Sequence, residues 1–404
     1  MTHRHLHPDS PWLLALLAAL VALGPLSVDM YVPAMPMMVE ALDTNISRIH
    51  LTLSVYLTGF ALFHLACGPL ADRIGRKPVL LGGTVLFVAA CIGCSQSTTV
   101  EELIVYRFIQ GIGACVGPTL ARTVARDVFG PTRAARALSL IAMLMALAPA
   151  IAPTLGAVML LWLPWPVLFM FLAFYGVAMI VLIQVFLAES IPMKQSLHPV
   201  AIARNYAELL RHRLFMTSTF ASSMVYAGLM TYIVCSSFVF IDMLGVPMEY
   251  FGFIFLTSVA GYMMGSGLSA RLSRHYQPEQ TVLLGSVLAA GACTTMLVCG
   301  KLFPLSVTAI LAPMVFYSAG MGLVLPNAMA VALRPFPHIA GTASALLGFI
   351  QMGLSSLATA AVGVFLKDTP EPMLYFMFFI TAIALVLSTL VHAQSEHHPQ
   401  GIND

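Results

Sequence analysis

The chain breaks into twelve runs of about twenty mostly apolar residues, and this repetition constrains its fold more than any other feature. The runs fall at roughly 12 to 35, 47 to 67, 79 to 96, 101 to 122, 136 to 160 and 165 to 187, then at 214 to 238, 249 to 268, 281 to 300, 306 to 326, 338 to 361 and 371 to 392. At a rise of about 1.5 Å per residue, about 20 helical residues cross a hydrocarbon core about 30 Å thick, and a helix satisfies its backbone polar groups within itself. Composition agrees: 59% of the 404 residues are hydrophobic and only 9% are Asp, Glu, Lys or Arg, against about 25% charged residues in soluble domains. So few charges cannot coat a water-facing surface of this size. The expected fold is an all-α membrane protein with twelve transmembrane helices. Its first run passes through Asp29, Pro33 and Pro36 with no small-residue cleavage pattern and is read as a retained span, not a signal peptide.

Charge placement orients the spans. With the N-terminus inside, fifteen of the nineteen Lys and Arg residues fall in cytoplasmic segments, as the positive-inside bias requires, so both termini are expected in the cytoplasm. A net charge of +2 gives no electrostatic case for nucleic acid. The chain divides into a six-helix half at 1–188, a polar linker at 189–213 and a second six-helix half at 214–404. Within the linker, 201–210 reads either as an interfacial helix with Arg204, Arg211 and Arg213 near anionic lipid headgroups or as a solvated connection. No Gly-Lys-[Ser/Thr] phosphate loop, His-Glu-x-x-His zinc helix or Gly-x-Ser-x-Gly elbow occurs, so neither ATP hydrolysis nor another enzymatic reaction is expected, and no cofactor or metal. An ion gradient is the expected energy source.

The stretch Gly68-Pro69-Leu70-Ala71-Asp72-Arg73-Ile74-Gly75-Arg76-Lys77-Pro78 is echoed without gaps by Ser266-Gly267-Leu268-Ser269-Ala270-Arg271-Leu272-Ser273-Arg274-His275, 198 residues later. A half-length echo at matching topology is the mark of a duplicated six-span unit. The first stretch resembles the signature between the second and third spans of the major facilitator superfamily. Arg107-Phe108-Ile109-Gln110-Gly111-Ile112-Gly113 resembles the fourth-span element of its drug:proton antiporters. Ala148-Pro149-Ala150-Ile151-Ala152-Pro153-Thr154-Leu155-Gly156 is similar to the fifth-span antiporter motif, with Ala at two of its Gly positions. Ser27 to Pro36 and the segments Asn327 to Ala332 and Phe336 to Ser344 resemble the Bcr/CflA drug-resistance branch. The resemblance implies two pseudo-symmetric halves rocking about a central site, in the inner membrane of a bacterium and working as a monomer. It implies proton-coupled export of amphipathic drugs of the bicyclomycin and chloramphenicol type. Export of a metabolite such as a sugar, nucleoside or amino-acid derivative is the alternative.

Ionisable residues at bilayer depth cost about 2.5–3.5 kcal/mol on insertion scales and mark function. Asp29 lies about six residues from the outer end of span 1 and Arg107 about six from that of span 4, so both sit about 9 Å below the same face and can meet. They are the candidate proton-coupling residues; a permanent structural ion pair is the alternative. His64 is a second titratable candidate, or a packing residue. Aromatic and amide side chains suited to an adaptable apolar pocket are Tyr31, Tyr56, Tyr226, Tyr232, Asn327 and Gln351. The stretch after the second span is read as a loop in which Gly68 and Gly75 permit close approach and a tight turn, with Asp127 available to Arg73 or Arg76. By resemblance, Gly68, Asp72, Arg73, Gly75, Arg76 and Asp127 form a gate, and Pro149, Pro153 and Gly156 form a sliding surface between the halves.

Overall fold

A computed structural model describes residues 11–190, 199–304, 306–367 and 369–396, and among them there is no strand. The helices are α1 (Pro11–Asp29), α2 (Met35–Ala41), α3 (Ile46–Ile74), α4 (Arg76–Gln96), α5 (Val100–Ala114), α6 (Val116–Leu160), α7 (Pro166–Phe186), α8 (Pro199–Arg211), α9 (Arg213–Ser237), α10 (Phe251–Leu272), α11 (Pro278–Leu302), α12 (Val307–Leu333), α13 (Ala340–Phe365) and α14 (Glu371–Glu396). Among the described residues, eleven helical stretches are long and apolar enough to cross a membrane, and Ala148–Leu160, within α6, is a shorter apolar stretch. Part of the linker, 191–198, lies outside the described residues, and so do the side chains of 130–140 and 142–147. The 201–210 segment is helical, within α8.

Two boundaries differ from those read in the sequence. Residues 68–74 are not a loop: α3 continues through Asp72 and Arg73, and only Gly75, at φ 115°, interrupts the chain before α4. The charged residues belong to a helix end reaching beyond the apolar core, which composition alone renders as a loop. The connection expected at 123–135 is likewise helical, because α6 runs for 45 residues through the inner part of span 4 and the whole of span 5. The interruption falls earlier, at Cys115, where Pro118 has no N–H to donate to the Ala114 carbonyl.

The chain forms two compact units. The first runs to Pro199 and takes in Val246–Phe255; the second comprises Val200–Gly245 and the chain from Leu256. Three of the main helix contacts of the first unit recur in the second. In the first, α1 packs on α6, α3 on α5, and α4 on both α5 and α7; in the second, α9 packs on α13, and α11 on both α12 and α14. The 198-residue echo is thus accompanied by a partial recurrence of helix contacts. Glycines bring the backbones together: a Cβ at Gly59 would overlap the Phe108 carbonyl, and one at Gly111 the Tyr56 carbonyl. On the second unit, Gly261 and Gly265 meet the carbonyls of Val315 and Ala319 in the same way. Small residues are the usual means of close helix approach where lipid provides no hydrophobic drive. Gly111→Ala is accordingly expected to lower stability by about 1–3 kcal/mol, seen as a lower thermal midpoint of the detergent-purified protein. An unchanged midpoint would show that α3 and α5 can separate without loss.

Candidate functional site

The first unit holds a fully buried arginine in an aromatic cage. Arg107, on α5, has no exposed surface, and its guanidinium carbon lies 4.4 Å from the centre of the Tyr31 ring, 4.5 Å from that of Tyr56 and 5.8 Å from that of Phe169. A desolvated cation over an aromatic face gains about 2 kcal/mol. The rings are fixed in turn. Thr52 donates its only hydroxyl proton to the Ile49 carbonyl, so the 2.6 Å contact between Tyr31 and Thr52 has the tyrosine as donor. Tyr56 donates to the Gly24 carbonyl at 3.3 Å. Tyr31 and Tyr56, expected as substrate walls, both lie against the arginine.

Hydrogen bonding to Arg107 is incomplete. One terminal nitrogen donates to the Ser27 carbonyl at 3.1 Å and to Gln110 Oε1 at 2.6 Å, and Gln110 Nε2 donates to the Cys91 sulfur at 3.0 Å. The Nε and the other terminal nitrogen have no acceptor among the described residues. An unmet buried donor costs about 1–3 kcal/mol, and more when charged. Asp29, at the end of α1 and 3% exposed, forms no ion pair with Arg107. The two residues expected to meet are thus both buried in the same unit, and Arg107 bonds the carbonyl of Ser27, two residues before Asp29. His64 is half-buried, with Nδ1 3.7 Å from the Cys115 sulfur.

A second polar cluster gathers where α3 gives way to α4. Arg76 pairs with Asp72 at 2.7 Å and with Asp127 at 3.2 Å. Ser190 donates to the same Asp127 oxygen at 3.2 Å. The carboxylate of Glu189 accepts from the backbone N–H groups of Arg76 at 2.9 Å and Lys77 at 3.2 Å. An anion is thereby seated on the N-terminus of α4, where the helix dipole favours it. Arg73 is exposed, and Gly68 faces open space, so Gly68 makes no close approach here. In α6, Pro149 is half-buried and Pro153 buried, and a Cβ at Gly156 would lie 2.6 Å from the Met30 carbonyl. Gly156 therefore packs against the end of α1 within its own unit.

A sequence profile of the Major Facilitator Superfamily matches residues 17–360. The chain belongs to this superfamily. It is accordingly a multi-pass membrane transporter of small-molecule substrates and not an enzyme. It is 33% identical over 343 residues to the multidrug resistance protein MdtL of Citrobacter koseri, covering 84% of this chain and 85% of that one. Over 373 residues it is 30% identical to the MFS-type transporter YdgK of Bacillus subtilis, covering 91% and 92%. It is also 27% identical over 377 residues to the bicyclomycin resistance protein homolog of Haemophilus influenzae, covering 92% and 93%. These relatives agree with the Bcr/CflA resemblance. The crystal structure of a D-xylose-proton symporter shares the fold, with a TM-score of 0.73 over 95% of this chain and 97% of that one at 14% identity.

The second unit of this superfamily member buries hydroxyls and an amide. Asn327 donates to Ser269 Oγ and to the Leu323 carbonyl, both at 2.7 Å. Tyr232 is fully buried with Ser258 beside its hydroxyl, and the buried Ser318 hydroxyl has no hydrogen-bond partner among the described residues. Tyr226 and Gln351 are half-buried. Three participants were missed in the sequence. Ser27 acts through its carbonyl and Phe169 through its ring, and neither carries a distinguishing signal. Glu189, the first residue of the expected linker, is legible there only as a carboxylate just past a span.

Proposed function

We propose that the protein is a proton-driven antiporter that exports amphipathic drugs of the bicyclomycin and chloramphenicol type from a bacterial cytoplasm, with both termini inside and a single chain as the working unit. The observation that carries this reading is the pairing left unmade in the first unit: among the described residues, a buried carboxyl without a counter-ion and, in the same unit, a buried guanidinium with two donors unused. Burial without a counter-ion favours the protonated carboxyl, and a guanidinium favours the ionised one. Moving Asp29 between these surroundings loads and unloads one proton, and a substrate that displaces Asp29 or draws it toward Arg107 couples its own binding to that proton. The names of the MdtL and Haemophilus relatives support drugs as the cargo. Tyr226, Tyr232, Asn327 and Gln351 supply aromatic and hydrogen-bonding contacts to it. Gly75, Asp72, Arg73, Arg76, Asp127 and Glu189 act as a gate and take no part in the proton step, and Gly68, Pro149, Pro153 and Gly156 serve the movement of the helices.

The test is direct. In inverted vesicles, uptake of an amphipathic dye should require a proton gradient and stop on addition of an uncoupler. Purified wild-type protein should release protons when the dye or bicyclomycin is added in weak buffer, and Asp29→Asn should not. Release equal to wild type from Asp29→Asn would remove Asp29 from the proton pathway. Dye uptake that survives the uncoupler would remove proton coupling altogether.

A further inference from the structure

Apart from the arginine cage, the first unit buries a second reactive cluster, built of sulfur and imidazole. It sits where span 4 breaks between α5 and α6. Cys115, at that break, and Cys67, on α3, are both fully buried, and their thiols hydrogen-bond to each other. The Cys115 sulfur also lies 3.7 Å from His64 Nδ1 and 3.4 Å from Thr119 Oγ1. His64 and Cys67 are three residues apart on α3 and share one face of it. The contacts of Gly59 and Gly111 with the facing backbones hold α3 and α5 in this register.

Burial alone leaves a thiol inert, as a small hydrophobe. Cys91 and Cys94 fit that description: they lie on one helix, and the Cys91 sulfur accepts from Gln110 Nε2. The Cys67 and Cys115 pair differs because its sulfurs meet from two helices and one of them has a base beside it. The thiolate is the attacking form of cysteine, and an imidazole nitrogen against a thiol can take its proton. The cluster also borders on accessible surface. His64, Thr119 and Thr123 are half-buried, and Gly68, one residue after Cys67, faces open space.

We infer that Cys67 and Cys115 are an oxidisable thiol pair that hydrogen peroxide closes into a disulfide, pinning the break in span 4 to α3. His64 takes the Cys115 proton, and the thiolate attacks one peroxide oxygen. The O–O bond breaks, Cys115 becomes a sulfenic acid, and the departing hydroxide takes the proton from His64 and leaves as water. The Cys67 thiol then attacks the Cys115 sulfur. An S–S bond forms, the S–O bond breaks, and the Cys67 proton leaves with the hydroxyl as a second water. Two thiols are oxidised and one peroxide is reduced, with no further reactant. The cross-link ties α3 to the point where α5 meets α6, so a transport cycle that bends span 4 there is halted.

The test uses the purified full chain in lipid vesicles. Hydrogen peroxide is added, the remaining thiols are blocked, and a digest is searched by mass spectrometry for a Cys67–Cys115 disulfide while dye uptake is followed in the same sample. Wild type should form that disulfide and lose uptake, and dithiothreitol should reverse both. Cys67→Ser should take up dye like wild type and keep doing so after peroxide, with Cys115 captured by dimedone as its sulfenic acid. Should Cys67→Ser not fold, Cys115→Ser gives the same comparison of uptake before and after peroxide. His64→Gln, which keeps a hydrogen-bonding side chain but no base, should slow disulfide formation by about tenfold or more. Peroxide that leaves Cys67 and Cys115 reduced, or that joins other cysteines instead, would overturn the inference. A Cys67–Cys115 disulfide with uptake unchanged would overturn the lock. The disulfide is read from peptides, so its absence is distinct from a failure of dye transport, which untreated protein would already show.

Discussion

Arg107→Lys is expected to fold, reach the membrane and lose proton-driven transport by roughly 30-fold, the rate equivalent of about 2 kcal/mol. The substitution keeps the charge, so the loss isolates what the guanidinium does beyond being positive. In the cage, a planar cation lies within 4.5 Å of two tyrosine ring centres while one of its terminal nitrogens bonds both the Ser27 carbonyl and Gln110. An ammonium is a point charge with no plane to stack and no second nitrogen to offer a carboxylate. It can hold the Ser27 carbonyl or Gln110, but it cannot keep the rings in place and also present two free donors to Asp29. Insertion costs are similar for the two side chains, so amounts of protein in the membrane should stay comparable, and the rate per molecule is the informative quantity. It is measured as the initial rate of dye uptake into inverted vesicles at matched protein. A rate for Arg107→Lys within about twofold of wild type would show that charge alone suffices and that the cage is only packing.

The span pattern was legible because a bilayer imposes one length on every crossing segment, so apolar runs translate into membrane-length helical stretches with little dependence on tertiary contacts. That Asp29 and Arg107 are set within apolar spans was legible for the same reason, and both are buried. Direction around the helix axis was not. Whether Tyr31 and Tyr56 face a ligand or the arginine depends on how α1, α3 and α5 rotate against one another, and that is set by contacts such as Gly111 on the Tyr56 carbonyl. Phe169 was out of reach for a related reason, since it arrives from α7 and looks like any other apolar residue of a span. The boundary at 68–74 was misplaced because charged residues at a helix end that extends past the apolar core have the composition of a loop. The seat of Glu189 on α4 joins residues 113 positions apart, a separation at which neither periodicity nor local composition carries information.

Gly75→Ala is expected to lower stability by about 2–4 kcal/mol and to disable the gate cluster, because two independent constraints meet at that residue. The first is local. At φ 115° and ψ 153° the backbone is in a region open to glycine and strained by about 1–3 kcal/mol for other residues. The second comes from Glu189, whose carboxylate occupies the place a Cβ at residue 75 would take. Moving that carboxylate uncovers the N–H groups of Arg76 and Lys77, a loss of about 1 kcal/mol by analogy with other helix caps. It also disturbs the Arg76 side chain that bridges Asp72 and Asp127. A double-mutant cycle separates the two constraints. Glu189→Ala alone should cost about 1 kcal/mol through the lost cap, and in that background Gly75→Ala should cost only the backbone strain, giving a coupling of about 1 kcal/mol. Thermal midpoints in detergent report the stability terms, and dye uptake at matched protein reports the gate. No loss of stability in Glu189→Ala alone would mean that Glu189 does not sit on the start of α4, and a full-strength penalty for Gly75→Ala in the Glu189→Ala background, which is strict additivity, would leave backbone conformation as the whole requirement for glycine.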